Sequence, residues 1–181
     1  RAAPTGALEL LARPDPTVLE GAVKVVQQLP RVADCSDLTS LGSDAPPDPA
    51  IAAEVEAQRN RLDRASGLAA AGSEADSASI AADVLEQARK LGYRPLEAEA
   101  RLVQARTMLD FGASPTVALP ALNSALVAAI GAGSDAAAGE VLARRAYVLG
   151  LRAGRIADAR LDAALSREYL ARTFEEVAGY D

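Results

Sequence analysis

The stretch GYRPLEAEARLVQARTMLDFGASPTVALPALNSALVAAIGAG, residues 92–133, contains one complete structural unit of this chain. In each half, apolar residues recur every three to four positions, which predicts an amphipathic helix. Pro95 and Pro115 stand where a first helical turn can begin, and glycine ends a helix readily because it adopts a left-handed conformation at low cost. The stretch therefore predicts two helices joined by a short turn at Gly112.

The same pattern recurs along the chain. Gly72, Gly112 and Gly154 are spaced at intervals of roughly forty residues, and each separates two predicted helices. We therefore expect six helices after Pro49, arranged as an all-α, right-handed superhelical solenoid of three helix pairs over residues 49–181. The predicted pairs are about 49–92, 95–133 and 134–181. Further helix starts are predicted at Pro16 and Pro49, and further ends at Gly92 and at Gly131 or Gly133.

Two features of the pattern allow more than one interpretation. Pro120 lies inside the helix that Pro115 would start, so either the helix bends there or its true start is nearer Ala118. The helix from Ile156 onward is more polar than its predecessors, so it is either a terminal cap or the beginning of another repeat. The sequence leaves both questions open.

Residues 1–48 differ from the repeats and are predicted to be an N-terminal helical segment with a proline-rich joint. A helix is expected from Pro16 to about Leu29, and GSDAPPDP (residues 42–49) has the composition of a stiff loop. Cys35 is the only cysteine, so no disulfide can close within this sequence. It is either a small buried side chain or the partner of a cysteine upstream.

The composition favours helices and limits the partners. Half of the residues are apolar, mostly alanine and leucine, and only 3% are aromatic, which favours helices over sheets. The net charge of -6 argues against nucleic acid, and no apolar run reaches the roughly 20 residues that a membrane-spanning helix needs. We therefore expect a protein or peptide partner, with self-association as a further option, and neither nucleic-acid binding nor membrane insertion.

Asp110-Phe111-Gly112 has the letters of the magnesium-binding triplet of protein kinases, but its position predicts a helix end. The chain has no histidine, so it cannot contain the His-Arg-Asp catalytic loop that accompanies that triplet. GAGSDAAAG (residues 131–139) lacks the preceding strand and the lysine of a phosphate-binding loop, which favours a helix end followed by a helix cap. We predict no catalytic residue, no cofactor and no metal site.

The polar residues on the first helix of each pair are the candidate partner-binding residues, because first helices line the concave side of a stacked array. Their arginines would suit a ligand that carries carboxylates. The alternative is that these arginines pair with neighbouring acidic side chains of the chain itself. The candidates are Arg61, Arg64, Arg101, Gln104, Arg106, Arg144 and Arg145.

The segments ARKLGYRPLEAEARLVQARTMLDFG and SDAAAGEVLARRAYVLGLRAGRIADARLDAAL resemble tetratricopeptide repeats (TPRs). The positions that fall near the small, turn and packing positions of that family are Ala105, Gly112, Ala118, Leu122 and Ala125. The chain departs from the family in its longer period, since a TPR has about 34 residues, and in lacking the tryptophan and tyrosine of the first helix.

A second resemblance covers nearly the whole chain. PDPTVLEGAVKVVQQLPRVADCSDLTSL, PPDPAIAAEVEAQRNRLDRASGLAAAG and EQARKLGYRPLEAEARL are together similar to the region that follows the transmembrane helix in serine/threonine protein kinases of myxobacterial type. The resemblance implies a non-catalytic sensor region outside the cytoplasm, in a parent chain whose ATP-binding kinase domain is N-terminal and cytoplasmic. Because the sequence begins at Arg1 rather than methionine, we expect it to be a piece of such a longer chain.

Two other functions fit the same pattern of helices. Helical repeats with units of about forty residues also bind small inducers in ATP-dependent bacterial transcription regulators, which are cytoplasmic. The repeats could also be a structural spacer without a ligand, if the concave face lacks distinguishing features.

Overall fold

The computed structural model describes residues 5–12, 15–27 and 46–178, and within these ranges the chain is all-α. The predicted all-α class is confirmed, and no strand occurs among these residues. Cys35 and residues 42–45 of the predicted proline-rich joint lie outside the described residues. The elements are α1 Thr5–Ala12, α2 Pro16–Gln27, α3 Ala52–Ala71, α4 Glu74–Leu91, α5 Arg94–Asp110, α6 Pro115–Ala132, α7 Asp135–Tyr147 with a π-helical turn Val148–Arg152, and α8 Ile156–Ala178.

Glycines end the helices as predicted. Gly112 follows α5 with a φ of 81°, and Gly133 follows α6 with a φ of 72°, so both adopt the left-handed conformation. Of the two ends proposed for that helix, Gly133 is correct, since Gly131 lies inside α6. The Asp110-Phe111-Gly112 triplet is therefore a helix end, with Asp110 as the last residue of α5.

The predicted helix starts agree with the structure in most places. α2 and α6 begin at the predicted prolines, and the Asp15 carboxylate caps α2 by accepting a hydrogen bond from the Val18 amide at 2.8 Å. The prediction at Pro49 was wrong: α3 begins at Ala52 because the Asp48 carboxylate accepts from the Ala50 amide at 2.8 Å and holds residues 49–51 in a turn. α1 was not predicted at all.

Pro120 lies inside α6, so the alternative helix start near Ala118 was wrong. Proline lacks the N–H that would bond to the Thr116 carbonyl, one helical turn earlier. Both residues are solvent-exposed, so water can bind this carbonyl and the helix continues.

Each helix from α3 to α8 packs against the next helix along the chain. α3 also contacts α5, and α5 contacts α7, whereas α4 and α6 have at most marginal contact with each other. One buried cluster joins α3, α4 and α5 around Val55, Val84 and Leu96, and a second joins α5, α6 and α7 around Leu122 and Val141. The first helices of successive pairs are therefore in direct contact with one another.

The two N-terminal helices pack on the same body. Leu10 of α1 and Val18 and Val25 of α2 form a buried cluster with Leu68 and Ala71 of α3. Each of these five side chains is less than one-tenth exposed. α1 and α2 thus cover part of α3 through apolar contact.

α7 and α8 approach each other closely at Gly139. The Ser166 hydroxyl of α8 donates a hydrogen bond to the Gly139 carbonyl at 2.7 Å. A Cβ atom at Gly139 would lie 2.7 Å from Cγ of Leu170, so only glycine fits without a shift of that leucine. Near its end α7 widens into the π-helical turn Val148–Arg152, where Val148 and Leu149 are buried.

Candidate functional site

A bidentate ion pair connects α3 to α5. The Arg59 guanidinium donates from Nε to both Glu99 carboxylate oxygens at 3.1 Å and from Nη2 to Oε1 at 2.8 Å. Burial acts to lower the pKa of Arg59, but the hydrogen bond and charge of Glu99 outweigh it, so the pKa is raised. Arg59 also lies over the Tyr93 ring, 5.8 Å from its centroid. The pair holds the first helices of two successive units together.

A second ion-pair cluster connects α5 to α7. Glu140 of α7 accepts two hydrogen bonds from the Arg106 guanidinium of α5 and one from Arg144 Nε at 2.9 Å. Burial acts to raise the pKa of Glu140, but the two guanidinium groups outweigh it and the pKa is lowered. Arg106 and Arg144, two of the predicted binding residues, are thus occupied by one internal carboxylate.

The other predicted residues lie on different parts of the surface. Arg61 reaches Asp83 of α4 at 3.2 Å, and Arg145 reaches Asp162 of α8 at 3.3 Å. Arg101 pairs with Glu97 on its own helix at 2.9 Å, and Gln104 is half-buried on α5. Arg64 is exposed and has no ion pair within the part of the chain that the structure describes. The structure therefore brings only Arg106 and Arg144 into one cluster.

The Arg145–Asp162 pair lies between α7 and α8, with Asp162 buried and Arg145 half-buried. The Arg145 Nε and the Asp162 Oδ2 atoms have no hydrogen-bond partner among the described residues, and their separation of 3.3 Å is long for such a bond. Burial raises the pKa of Asp162, and the nearby Asp158 carboxylate raises it further. The charges of Arg145 and Arg155 act in the opposite direction but do not cancel this rise.

An open groove of about 530 Å³ runs between α5 and α6. Arg94, Glu97 and Arg101 line it from α5, and Asn123, Ser124 and Val127 line it from α6. Arg94 was predicted only as part of a helix start, and its role as a groove residue was missed. A signal was present in the sequence, because Arg94, Glu97 and Arg101 are spaced by three and four residues and so share one helix face.

The groove contains more cationic than anionic groups. Glu97 is shared by Arg101 at 2.9 Å and by Arg89, at the end of α4, at 3.7 Å. Arg94 is exposed, and its Nη1 donates to the Gly131 carbonyl at 3.2 Å. Within the described residues Arg94 has no carboxylate partner. The groove lining therefore contains two guanidinium groups and one carboxylate, and Arg89 reaches that carboxylate as well.

The α6 side of the groove is uncharged. α6 contains no Asp, Glu, Lys or Arg, and its exposed side chains include Val117 at 53%, Val127 at 71% and Ile130 at 51%. The sequence pattern predicted no apolar run long enough to span a membrane, but by length and composition α6 is the one helix among the described residues that could do so, and 22% of it is buried. The exposed side of α4, in contrast, carries Glu74, Asp83, Glu86, Arg89 and Lys90.

The described residues contain no group of three or more His, Cys, Asp or Glu side chains able to hold a metal ion. Comparison with protein-family models, with curated proteins and with solved structures gives no match.

Proposed function

We propose that this chain is a protein- or peptide-binding region built from three TPR-like helix pairs in a right-handed superhelix, preceded by an N-terminal helical segment. In this proposal it performs no chemistry itself. It acts as the regulatory or sensor region of a bacterial serine/threonine protein kinase, outside the cytoplasm, as its resemblance to that family implies.

The contacts between first helices are the observation that carries the proposal. α3 contacts α5 and α5 contacts α7, while α4 and α6 barely meet. In stacked helix pairs this alternation places the first helices on one face of the array and the second helices on the other. Such arrays present extended surfaces to peptides and proteins, and the interhelical pairs Arg59–Glu99 and Arg106–Glu140 would keep the surface rigid.

Regulation would follow from differential binding. A partner that binds one arrangement of the parent chains more tightly than another shifts the population toward that arrangement. In the proposed parent chain, the shifted arrangement would change the activity of the kinase domain. No cofactor is needed for this mechanism.

Selection from a displayed library of random peptides against the purified chain tests the proposal. We expect peptides to be enriched above the background of an unrelated helical protein, and to bind with micromolar affinity once synthesised. The Arg101→Ala and Arg106→Ala variants then show which face of α5 the peptides use. A library that yields no binding peptide contradicts the proposed function.

A structural spacer is the second candidate, and one observation favours it. Five of the six arginines predicted to bind a partner are already paired with carboxylates of the chain itself. Such pairing stabilises an array without leaving those charges available for a ligand. If no library peptide binds the chain, and if the helices separate when these ion pairs are removed, the chain is a spacer.

A further inference from the structure

The groove between α5 and α6 combines a cationic side with an apolar, uncharged side. We infer that it binds an acidic amphipathic segment of a partner protein, whose carboxylates contact Arg94 and Arg101 and whose apolar side chains pack on Val127 and Ile130. This inference rests on the proposed function, because it names the site and the chemical class of the bound peptide.

Charge complementarity selects an acidic occupant. Arg94 and Arg101 line the groove with only Glu97 as a counter-charge, and α6 supplies none. The chain as a whole has a net charge of -6, so this positive region contrasts with the rest of the molecule. A carboxylate between Arg94 and Arg101 would gain charge-assisted hydrogen bonds, and like charges elsewhere on the chain would disfavour other positions for it.

Apolar exposure explains why the occupant must also have an apolar side. Val127 lines the groove and is 71% exposed. Ile130, three residues further along α6, lies next to the groove lining and is 51% exposed. Burying such side chains under a partner removes apolar surface from water, which is the main favourable contribution to most protein association. Asn123 and Ser124 beside them can hydrogen-bond a peptide without adding a charge.

The shape of the groove favours a protein segment over a small molecule. A small-molecule site encloses most of the ligand surface, whereas this groove is open to solvent along two helices. An amphipathic helix laid lengthwise in an open groove is a common mode of peptide recognition. Both walls are regular helices, so the groove needs no rearrangement to receive it.

The peptides selected from the random library are the probes, measured by fluorescence anisotropy against matched variants. We expect the selected sequences to be enriched in Asp and Glu beside aliphatic residues. Replacing both Arg94 and Arg101 by Ala should weaken binding about tenfold, since each exposed charge pair accounts for up to about fivefold. The matched control replaces Arg160 and Arg167, two exposed arginines of α8 without an ion pair among the described residues, and should leave affinity unchanged.

Two further variants separate recognition from a general effect of charge. Glu97→Gln removes the internal carboxylate that competes for Arg89 and Arg101, so we expect affinity to rise about two- to fivefold. Val127→Asp places a negative charge on the apolar wall and should weaken binding more than Val127→Ala. Circular dichroism and thermal unfolding of each variant show whether the fold is retained.

The outcomes distinguish this inference from the proposed function. The selected peptides could bind but lack acidic residues, or bind the Arg94/Arg101 double variant as tightly as the wild type. Either result contradicts acidic-peptide binding in this groove but leaves peptide binding by the chain intact. Binding to phosphatidylglycerol vesicles that exceeds binding to every peptide, and that is lost in the same double variant, overturns the inference in favour of a membrane surface. A library without any binder contradicts both proposals together.

Discussion

Glu140 is the side chain whose replacement should reveal most about how successive helix pairs are held together. It accepts hydrogen bonds from Arg106 of α5 and Arg144 of α7, and its side chain is 31% exposed. Glu140→Gln keeps the shape and removes the charge, leaving two half-buried guanidinium groups without their carboxylate. We expect the variant to be less stable than the wild type.

The size of the loss follows from the exposure of the three side chains. Fully exposed ion pairs contribute about 0.2–1 kcal/mol, whereas removing one partner of a fully buried pair costs about 3–5 kcal/mol. Glu140, Arg106 and Arg144 are each about one-third exposed. We therefore expect Glu140→Gln to lower the free energy of unfolding by about 1–2 kcal/mol, which corresponds to a Tm lower by roughly 2–8 °C.

Urea unfolding followed by circular dichroism measures this loss, since the chain has no tryptophan to report by fluorescence. Asp83→Asn is the matched control, because the Asp83 side chain is 63% exposed and, among the described residues, forms an ion pair with Arg61 alone. That control should change the free energy of unfolding by less than about 0.5 kcal/mol. A control that loses as much stability as Glu140→Gln would refute the reasoning from burial.

The pH dependence gives an independent check. The pKa of Glu140 is lowered in the folded chain, so its charge adds stability that is present above the ordinary glutamate value of 4.5 and is lost as the pH falls through the folded pKa. The stability difference between wild type and Glu140→Gln should therefore shrink toward zero in strong acid. An undiminished difference at that pH would show that the carboxylate charge is not the cause.

Three other predictions concern the α7–α8 contact, the turn after α5 and the last turn of α6. The pKa of Asp162 is raised, so the folded chain binds a proton more tightly than the unfolded chain, and this group's contribution to stability decreases as the pH rises just above the ordinary aspartate value of 3.8. Asp162→Asn should remove that part of the pH dependence of Tm. If Tm changes with pH in the variant as it does in the wild type, Asp162 is not the group responsible. Gly112→Ala forces alanine to a φ of 81° and should lower the free energy of unfolding by about 1–2 kcal/mol. Gly131 lies inside α6, where a Cβ atom would meet only the Arg94 side chain, so Gly131→Ala should raise the free energy of unfolding by about 0.5–1 kcal/mol. A less stable Gly131→Ala variant would show that helix propensity does not decide this position.

The ends of the helices could be predicted from the sequence because their causes are local. A glycine in the left-handed conformation ends α5 and α6 whatever surrounds it, so the sequence predicts Gly112, and it gives Gly133 as one of two possible ends of α6. The predicted start of α3 was wrong because the Asp48 carboxylate holds the following residues in a turn. An Asp-Pro sequence is compatible with such a turn as well as with a helix start. The sequence pattern did not predict α1, because its beginning is not marked by a capping residue followed by proline.

The candidate site was less predictable because it depends on which helix lies opposite each arginine. Arg101 and Arg106 are on the same helix, but five residues separate them, so they point to different neighbours. Arg106 meets Glu140, 34 residues away, and no local pattern indicates such a pairing. Arg94 shares a helix face with Arg101, so its place in the groove could be predicted from the spacing alone.

The near absence of contact between α4 and α6 has a mechanical consequence. Neighbouring helix pairs are joined where α4 packs on α5 and α6 packs on α7, and the first helices α3, α5 and α7 also contact one another directly. The Arg59–Glu99 and Arg106–Glu140 ion pairs lie between these first helices, so the stiffer side of the molecule is the side that they form. We therefore expect the molecule to bend about the side formed by α3, α5 and α7. The distance between α4 and α6 should then vary more than the distances among those three helices. A pull applied to the ends of the chain would be absorbed first by the gap between α4 and α6, as elastic extension that precedes any loss of helix.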